Sequence, residues 1–302
     1  MTLQGNHMSI VPDWLEQKAK EAEEKAKTKA KQQTATVIQL PLWAEEKCGI
    51  PNGFLRSALF GAIRKGSRRY LQQEKIASLD GIELIYTGQR LDQGDLDVWG
   101  GVIQFARQQN LGEQCRFTAY AMLKLLDKND SGKNREILDT RLTRMKATAV
   151  RIKVGRYSYE GSLLDAIYRD EETKEYIAVL NPKMHVLFAT DQFTQIDWNI
   201  RQTLDGKPLA QWLHGFYASH AQPLPISIAK LHTLSGSEAG ELWKFTQTLR
   251  KNLDHLVDAH QQHCQSFSYE IKDDVVHVSR TPSKSQRLHL AKKARKSSKP
   301  KT

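Results

Sequence analysis

The sequence predicts an α+β chain in which one order of elements runs twice between a charged N-terminal extension and a basic C-terminal tail. Three observations predict it. From Phe54 onward, apolar residues at helical spacing alternate with short β-rich runs. A short strand, a Thr or Ser helix cap, a short helix, a Ser-Gly turn and a long helix follow one another after Cys115 and again after Leu224. Both ends are rich in charge and poor in large apolar residues, so neither has a face to bury.

The first segment, "DWLEQKAKEAEEKAKTKAKQQ" from Asp13 to Gln33, is an Ala-, Glu- and Lys-rich helix that Asp13 can cap. A linker interrupted by "VIQLPLW" leads to Phe54. "KIASLDGIELIYTG" carries Asp80-Gly81 between two β-rich runs, a hairpin signal. "LDVWGGVIQFARQQ" places Val98, Val102 and Phe105 on one helical face. "CRF" is a strand, Thr118 a cap and "AYAMLKLLD" a helix, and Lys133 to Ala149 form a long basic helix after the Asn129–Gly132 turn. "VRIKV", "YEGSLLDAIYRDE" and "EYIAVL" are strands. Helix, turn, helix and hairpin in this order predict a winged helix.

The second pass begins at "KPLAQWLHGFYASH", a helix opened by Pro208. "LPI", the Ser227 cap, "IAKLHTL" and the Ser235-Gly236 turn lead to "SEAGELWKFTQTLRKNLDHLVDAH". "SFSYEI" and "VVHVSR" close it as a hairpin. The predicted organisation is a helical extension at 1–34, a linker at 35–53, winged-helix domains at 54–192 and 193–281, and a disordered basic tail at 282–302.

Forty-five Lys and Arg against 34 Asp and Glu leave a formal charge of +11. That excess favours a polyanionic partner over a merely solvated surface; DNA, RNA and an anionic membrane surface all satisfy it. No run of about 18 apolar residues is present, so no membrane span is expected. "MTLQGNHMSIVPDWLEQ" has no basic segment followed by an apolar core, and the three distant cysteines Cys48, Cys115 and Cys264 suit a reducing cytoplasm.

On the first long helix Leu138, Leu142, Met145 and Ala149 form the expected buried face. Lys133, Asn134, Thr140, Arg141 and Arg144 are the residues expected to meet DNA. On the second, Leu242, Phe245, Leu249, Leu253 and Leu256 make the expected buried stripe. Lys244, Gln247 and Lys251 face outward and Arg250 flanks them, all four expected to meet DNA; Trp243 lies on the flank as well, where packing is the commoner role for a tryptophan. A major groove admits such a helix; Gln can pair with adenine and Arg or Lys with guanine or phosphate.

The segments "PNGFLRSALF", "IYTGQRL", "RLTRMKATA", "HVLFATDQFTQIDW", "FYASHAQPLPI", "SGSEAGELWKF" and "KDDVVHVSR" resemble, in order, the TrfA-type replication initiators of broad-host-range plasmids. The resemblance spans about Val37 to Arg280. It implies a tandem winged-helix protein that binds double-stranded iterons in a plasmid origin and helps open an A·T-rich segment, the opened single strand being a further candidate ligand. It also implies recruitment of the host initiator DnaA, the replicative helicase and the sliding clamp, and a homodimer in equilibrium with a monomer. A winged-helix repressor acting on promoter operators is the alternative.

The family carries a clamp-binding pentapeptide, Gln-Leu-Ser/Asp-Leu-Phe, just before its first domain. Gln39-Leu40-Pro41-Leu42-Trp43 matches it, with Trp43 in place of Phe. On that match Gln39, Leu40, Leu42 and Trp43 are the clamp-contacting residues, and Pro41 favours the extended form. The plainer reading is a segment that folds back onto the first domain.

No catalytic residue, cofactor or metal is expected. The chain has no His-x-His pair of the kind DNA-nicking initiators use, and no Walker sequence. His255, His260, His263 and Cys264 are the one metal-suggestive cluster, but only His260 and His263 share a helical face.

Overall fold

A computed structural model describes residues 39–64, 66, 68–107, 109–110 and 114–297, without the side chains of 292, 293 and 295–297. The expected helical extension, including Asp13, lies outside the described residues.

Strand β1 (Lys47–Pro51), helix α1 (Asn52–Leu55), β2 (Phe60–Gly61), β3 (Tyr70–Lys75), β4 (Ile82–Gln89) and β5 (Leu91–Asp92) lead into α2 (Gln93–Ala106). Asp92 and Asp95 cap α2 reciprocally, each side chain accepting the other's backbone N–H at 2.9 Å. Then come β6 (Gln114–Thr118), α3 (Ala119–Leu125), α4 (Gly132–Lys146), β7 (Ala149–Val154), β8 (Tyr157–Gly161), β9 (Ala166–Arg169) and β10 (Glu175–Val179). Thr118 caps α3 through Ala121 N, and Ser131 caps α4 through Asn134 N. Helix α4 ends at Lys146, so Ala149, expected on its buried face, is an exposed strand residue.

A 3₁₀ segment at Pro182–Phe188 and strand β11 (Phe193–Asp197) connect to α5 (Trp198–Thr203) and α6 (Pro208–Ala218). Strand β12 (Ile226–Ser227), α7 (Ile228–Ser235), α8 (Leu242–Gln262), β13 (Phe267–Lys272), β14 (Val275–Arg280) and α9 (Lys284–Ser297) complete the chain. Ser227 caps α7 through Lys230 N, and Gly236 ends that helix in the left-handed region at φ 61°.

Helix, strand, helix, helix and two strands occur twice, as α2-β6-α3-α4-β9-β10 and α6-β12-α7-α8-β13-β14. The sheets match as well, running β6-β10-β9 and β12-β14-β13, all antiparallel. The sequence places "VRIKV" and the first part of "YEGSLLDAIYRDE" among the strands closing the first unit. Instead β7 and β8 join β3 and β4 in a separate sheet, order β3-β4-β7-β8. The pairing Leu84↔Ile152↔Tyr159 puts these three side chains, all buried, on one face.

The two repeats are packed together, and the described residues from Gln39 onward cluster as one compact unit. Strand β1, expected in the linker, pairs with β11 from Lys47↔Asp197 to Pro51↔Phe193. Trp212 Nε1 donates to Ser57 O at 3.1 Å. Arg201 is 1% exposed; its Nε donates to Asp97 Oδ1 at 2.5 Å and its Nη2 to Gln93 O at 3.0 Å, fastening α5 to α2. A buried guanidinium persists only with such a full set of acceptors.

The tail also departs from expectation, since Lys284–Ser297 is helical. Gln286 anchors its start, donating to Ala218 O at 2.7 Å and accepting from Arg280 Nη1 at 3.1 Å. Ala-, Leu-, Lys- and Arg-rich sequence then continues a helix whose first turn is already held.

Candidate nucleic-acid interface

Helix α8 buries Phe245, Leu249, Leu253 and Leu256 completely against α6, α7 and the β13–β14 hairpin. At about 100° per residue, Trp243, Gln247 and Arg250 then fall on one outward stripe, with Lys244 and Lys251 beside it. All five are exposed. No carboxylate lies within salt-bridge distance of Lys244, Arg250 or Lys251 among the described residues. Asp254, on the same face, is occupied by the Tyr269 hydroxyl at 2.6 Å.

Leu242 was expected in the buried stripe, and it is 44% exposed. Its angle on the helix is right, but it is the first helical residue and stands one turn beyond the core that Phe245 enters. Trp243, expected on the flank with packing its commoner role, is 57% exposed. The Lys244 ammonium lies 5.3 Å from its ring centre.

Helix α4 presents a different face. Leu138, Leu142 and Met145 are buried, while Lys133 and Thr140 are exposed. Asn134 turns back to its own turn, donating to Asn129 O at 2.8 Å. Arg141 and Arg144, expected to meet DNA, point inward with side chains 11% exposed. Arg141 Nη1 lies 2.5 Å from Asp92 Oδ1 and 2.9 Å from Asp95 Oδ1; Arg144 Nη1 lies 2.7 Å from Asp95 Oδ1. Arg68 also pairs with Asp92.

The physical reason is the capping box of α2. Two carboxylates gathered at one helix start need cations, and α4 is the helix packed there. Burial pushes the Asp92 carboxyl up, and the Arg141 and Arg68 guanidiniums more than offset it, holding it at about 2. Gly94 lets the guanidinium in, because a Cβ there would collide with Arg141 Nη2 and Cζ.

The segment Gln39–Trp43 is not a tether. Leu40 is 2% and Trp43 8% exposed, and Trp43 Nε1 donates to Gln104 Oε1 at 2.6 Å. The indole stacks on Phe188 with centroids 6.4 Å apart and covers Gly49, whose Cβ would meet the ring at 2.7 Å. Gln39 bridges to Asn110, and Leu42 alone of the apolar residues faces outward, at 67%. Leu40 and Trp43 therefore serve the core of the first repeat rather than an open clamp-binding surface. A β-strand five residues long begins at Lys47, and its pairing with β11 draws the preceding residues onto the fold.

The histidines of α8 go to separate neighbours. His260 Nδ1 lies 2.8 Å from Leu256 O, and His263 Nε2 lies 3.0 Å from Thr203 Oγ1. Cys264 is exposed. The buried polar joint of Gln93, Asp97, Arg201 and Gln211 had no sequence signal beyond isolated polar residues inside helical patterns.

These features define an α+β protein with a duplicated helical unit, one copy of which exposes a cationic long helix. The same fold occurs in the crystal structure of domains 2 and 3 of RctB, which aligns with TM-score 0.51 and 15% identity over 76% of this chain and 97% of that one. The TrfA protein family model matches residues 10–280, and the chain belongs to that family. It is 25% identical over 281 residues to the plasmid replication initiator protein TrfA of Escherichia coli, covering 88% of this chain and 72% of the relative.

Proposed function

We propose that this chain initiates plasmid replication by binding iterons in the plasmid origin with its two repeats acting as winged-helix modules. The single observation that carries the reading is the outer face of α8, where Lys244, Gln247, Arg250 and Lys251 are exposed without acidic partners among the described residues. Family membership and the function named for the Escherichia coli relative support replication over other uses of a DNA-binding helix. Lysines and arginines release counterions from phosphate, and Gln247 has the paired donor and acceptor that adenine N7 and N6 require. The β13–β14 hairpin, which follows α8, flanks the same groove as the wing.

Opening of an A·T-rich segment and recruitment of DnaA, helicase and clamp complete the proposed activity. Clamp capture through Gln39–Trp43 requires Leu40 and Trp43 to leave their buried positions. Footprinting on the plasmid's own origin tests the central step. Protection of tandem repeats beside an A·T-rich stretch is expected; protection confined to a promoter operator would replace initiation with repression.

A further inference from the structure

We infer that Leu242 and Trp243 form an apolar tip on α8 that contacts thymine C5-methyl groups in the major groove; this rests on α8 being the groove-entering helix. Two large apolar side chains follow one another at the start of α8, about 100° apart around its axis and 44% and 57% exposed, where the core pattern would have hidden the first. Glu241, which precedes them, makes no side-chain cap. Lys244 sits against the Trp243 ring at 5.3 Å and helps hold it.

The surroundings select the occupant. Trp243 shares its stripe with Gln247 and Arg250, and Lys244 and Lys251 border it. Glu238, the acid of the preceding loop nearest this surface in sequence after Glu241, is taken by Arg90 at 2.8 Å. With Lys244 at the Trp243 ring, Arg250 and Lys251 further along α8, and Glu241 the acid beside the tip, the cations outnumber the acid and the surface complements a polyanion. Within a duplex major groove the apolar group that bases offer is the thymine methyl, since the other edge groups are hydrogen-bond donors and acceptors. From Trp243 to Arg250 the helix rises roughly 10 Å, about three base-pair steps, so the thymine read by the tip lies within about three pairs of the bases read by Gln247 or Arg250.

The test uses the full chain and a duplex that it selects from a random pool. Each dT of the selected site is replaced singly by dU, which deletes only the methyl. Wild type is expected to lose about fourfold affinity at one or two positions, the value of one buried methyl-sized group, and Trp243→Ala to lose nothing further there. Trp243→Phe, which keeps an apolar face, should retain part of the sensitivity. Equal dU effects in wild type and Trp243→Ala, or none in wild type, overturn the inference. So does a Trp243→Ala chain that keeps its dU sensitivity but changes oligomeric state, which would make the tip a contact between copies. Lys244→Ala with Lys251→Ala separates the two levels. If that pair weakens binding while dU has no effect, only the tip fails; if the pair binds as wild type, the placement of α8 in the groove fails with it.

Discussion

Trp43 donates its indole N–H to Gln104 at 2.6 Å across 61 residues of sequence, making a residue that looks like part of a tether into a wall of the first repeat. Its ring lies between Phe188, Phe193 and the bare backbone of Gly49. Trp43→Ala is expected to cost roughly 3–5 kcal/mol in urea unfolding, as for other buried aromatic truncations, whereas Leu42→Ala should stay within about 0.5 kcal/mol. Equal effects of the two would contradict the packing.

The same contact bears on clamp capture. Gln104→Ala removes the acceptor of Trp43 without touching the pentapeptide. If the segment must leave its groove to reach a clamp, that variant should pull down more sliding clamp than wild type. Unchanged capture would mean that the segment serves the fold alone.

Arg141 belongs to the capping carboxylates of α2, 2.5 Å from Asp92. Arg141→Ala leaves Asp92 with Arg68 and Asp95 with Arg144, so the expected loss is smaller than the roughly 3–5 kcal/mol of a buried carboxylate left with no partner. The salt dependence of duplex binding should not change. A slope lowered by about 0.9 would instead return Arg141 to the list of phosphate contacts.

Lys244 and Lys251 are expected to behave in the opposite way. Their joint replacement by alanine should leave the thermal midpoint within a few degrees of wild type while lowering the log–log salt slope by about 1.8, two phosphates at roughly 0.9 each. Titrations at several salt concentrations distinguish this from a general loss of folding.

His214 sets an acid limit on stability. It lies buried on α6, its ring 5.8 Å from that of His260 on α8, and its Nδ1 has no hydrogen-bond partner among the described residues. Burial first, and His260 and Arg201 beyond it, drive its pKa well below 6.5, so it is neutral when folded. The unfolded chain binds that proton below about pH 6.5, and stability is therefore full above that pH and lost as pH falls, by up to about 1.4 kcal/mol per unit. Urea midpoints between pH 7.5 and 5.5 should show the decline, and His214→Leu should lessen it, leaving the shares of His220 and His260, whose pKa values burial also lowers.

Much of the local structure is legible in the residues. Thr118, Ser131 and Ser227 each cap a helix, because a cap is decided within four residues. The buried stripes Leu138-Leu142-Met145 and Phe245-Leu249-Leu253-Leu256 follow from the period of the helix. The order of elements in both repeats, and the outward face of Lys244, Gln247 and Lys251, follow in turn.

What only the tertiary structure decided is which partner each element meets. Periodicity separates inside from outside around one helix, but it cannot say that α4's arginine flank faces the two carboxylates that cap α2, 46 and 49 residues away. Nor does it say that β7 and β8 part from β9 and β10 to join β4, or that Leu242 outruns the core it is phased to join. Those outcomes depend on packing between distant segments, where a buried charge seeks its counter-charge and an unpaired strand edge its ladder. Trp43 shows both halves of the lesson: its sequence marks it as apolar and out of place, and only the fold supplies the surface that it covers.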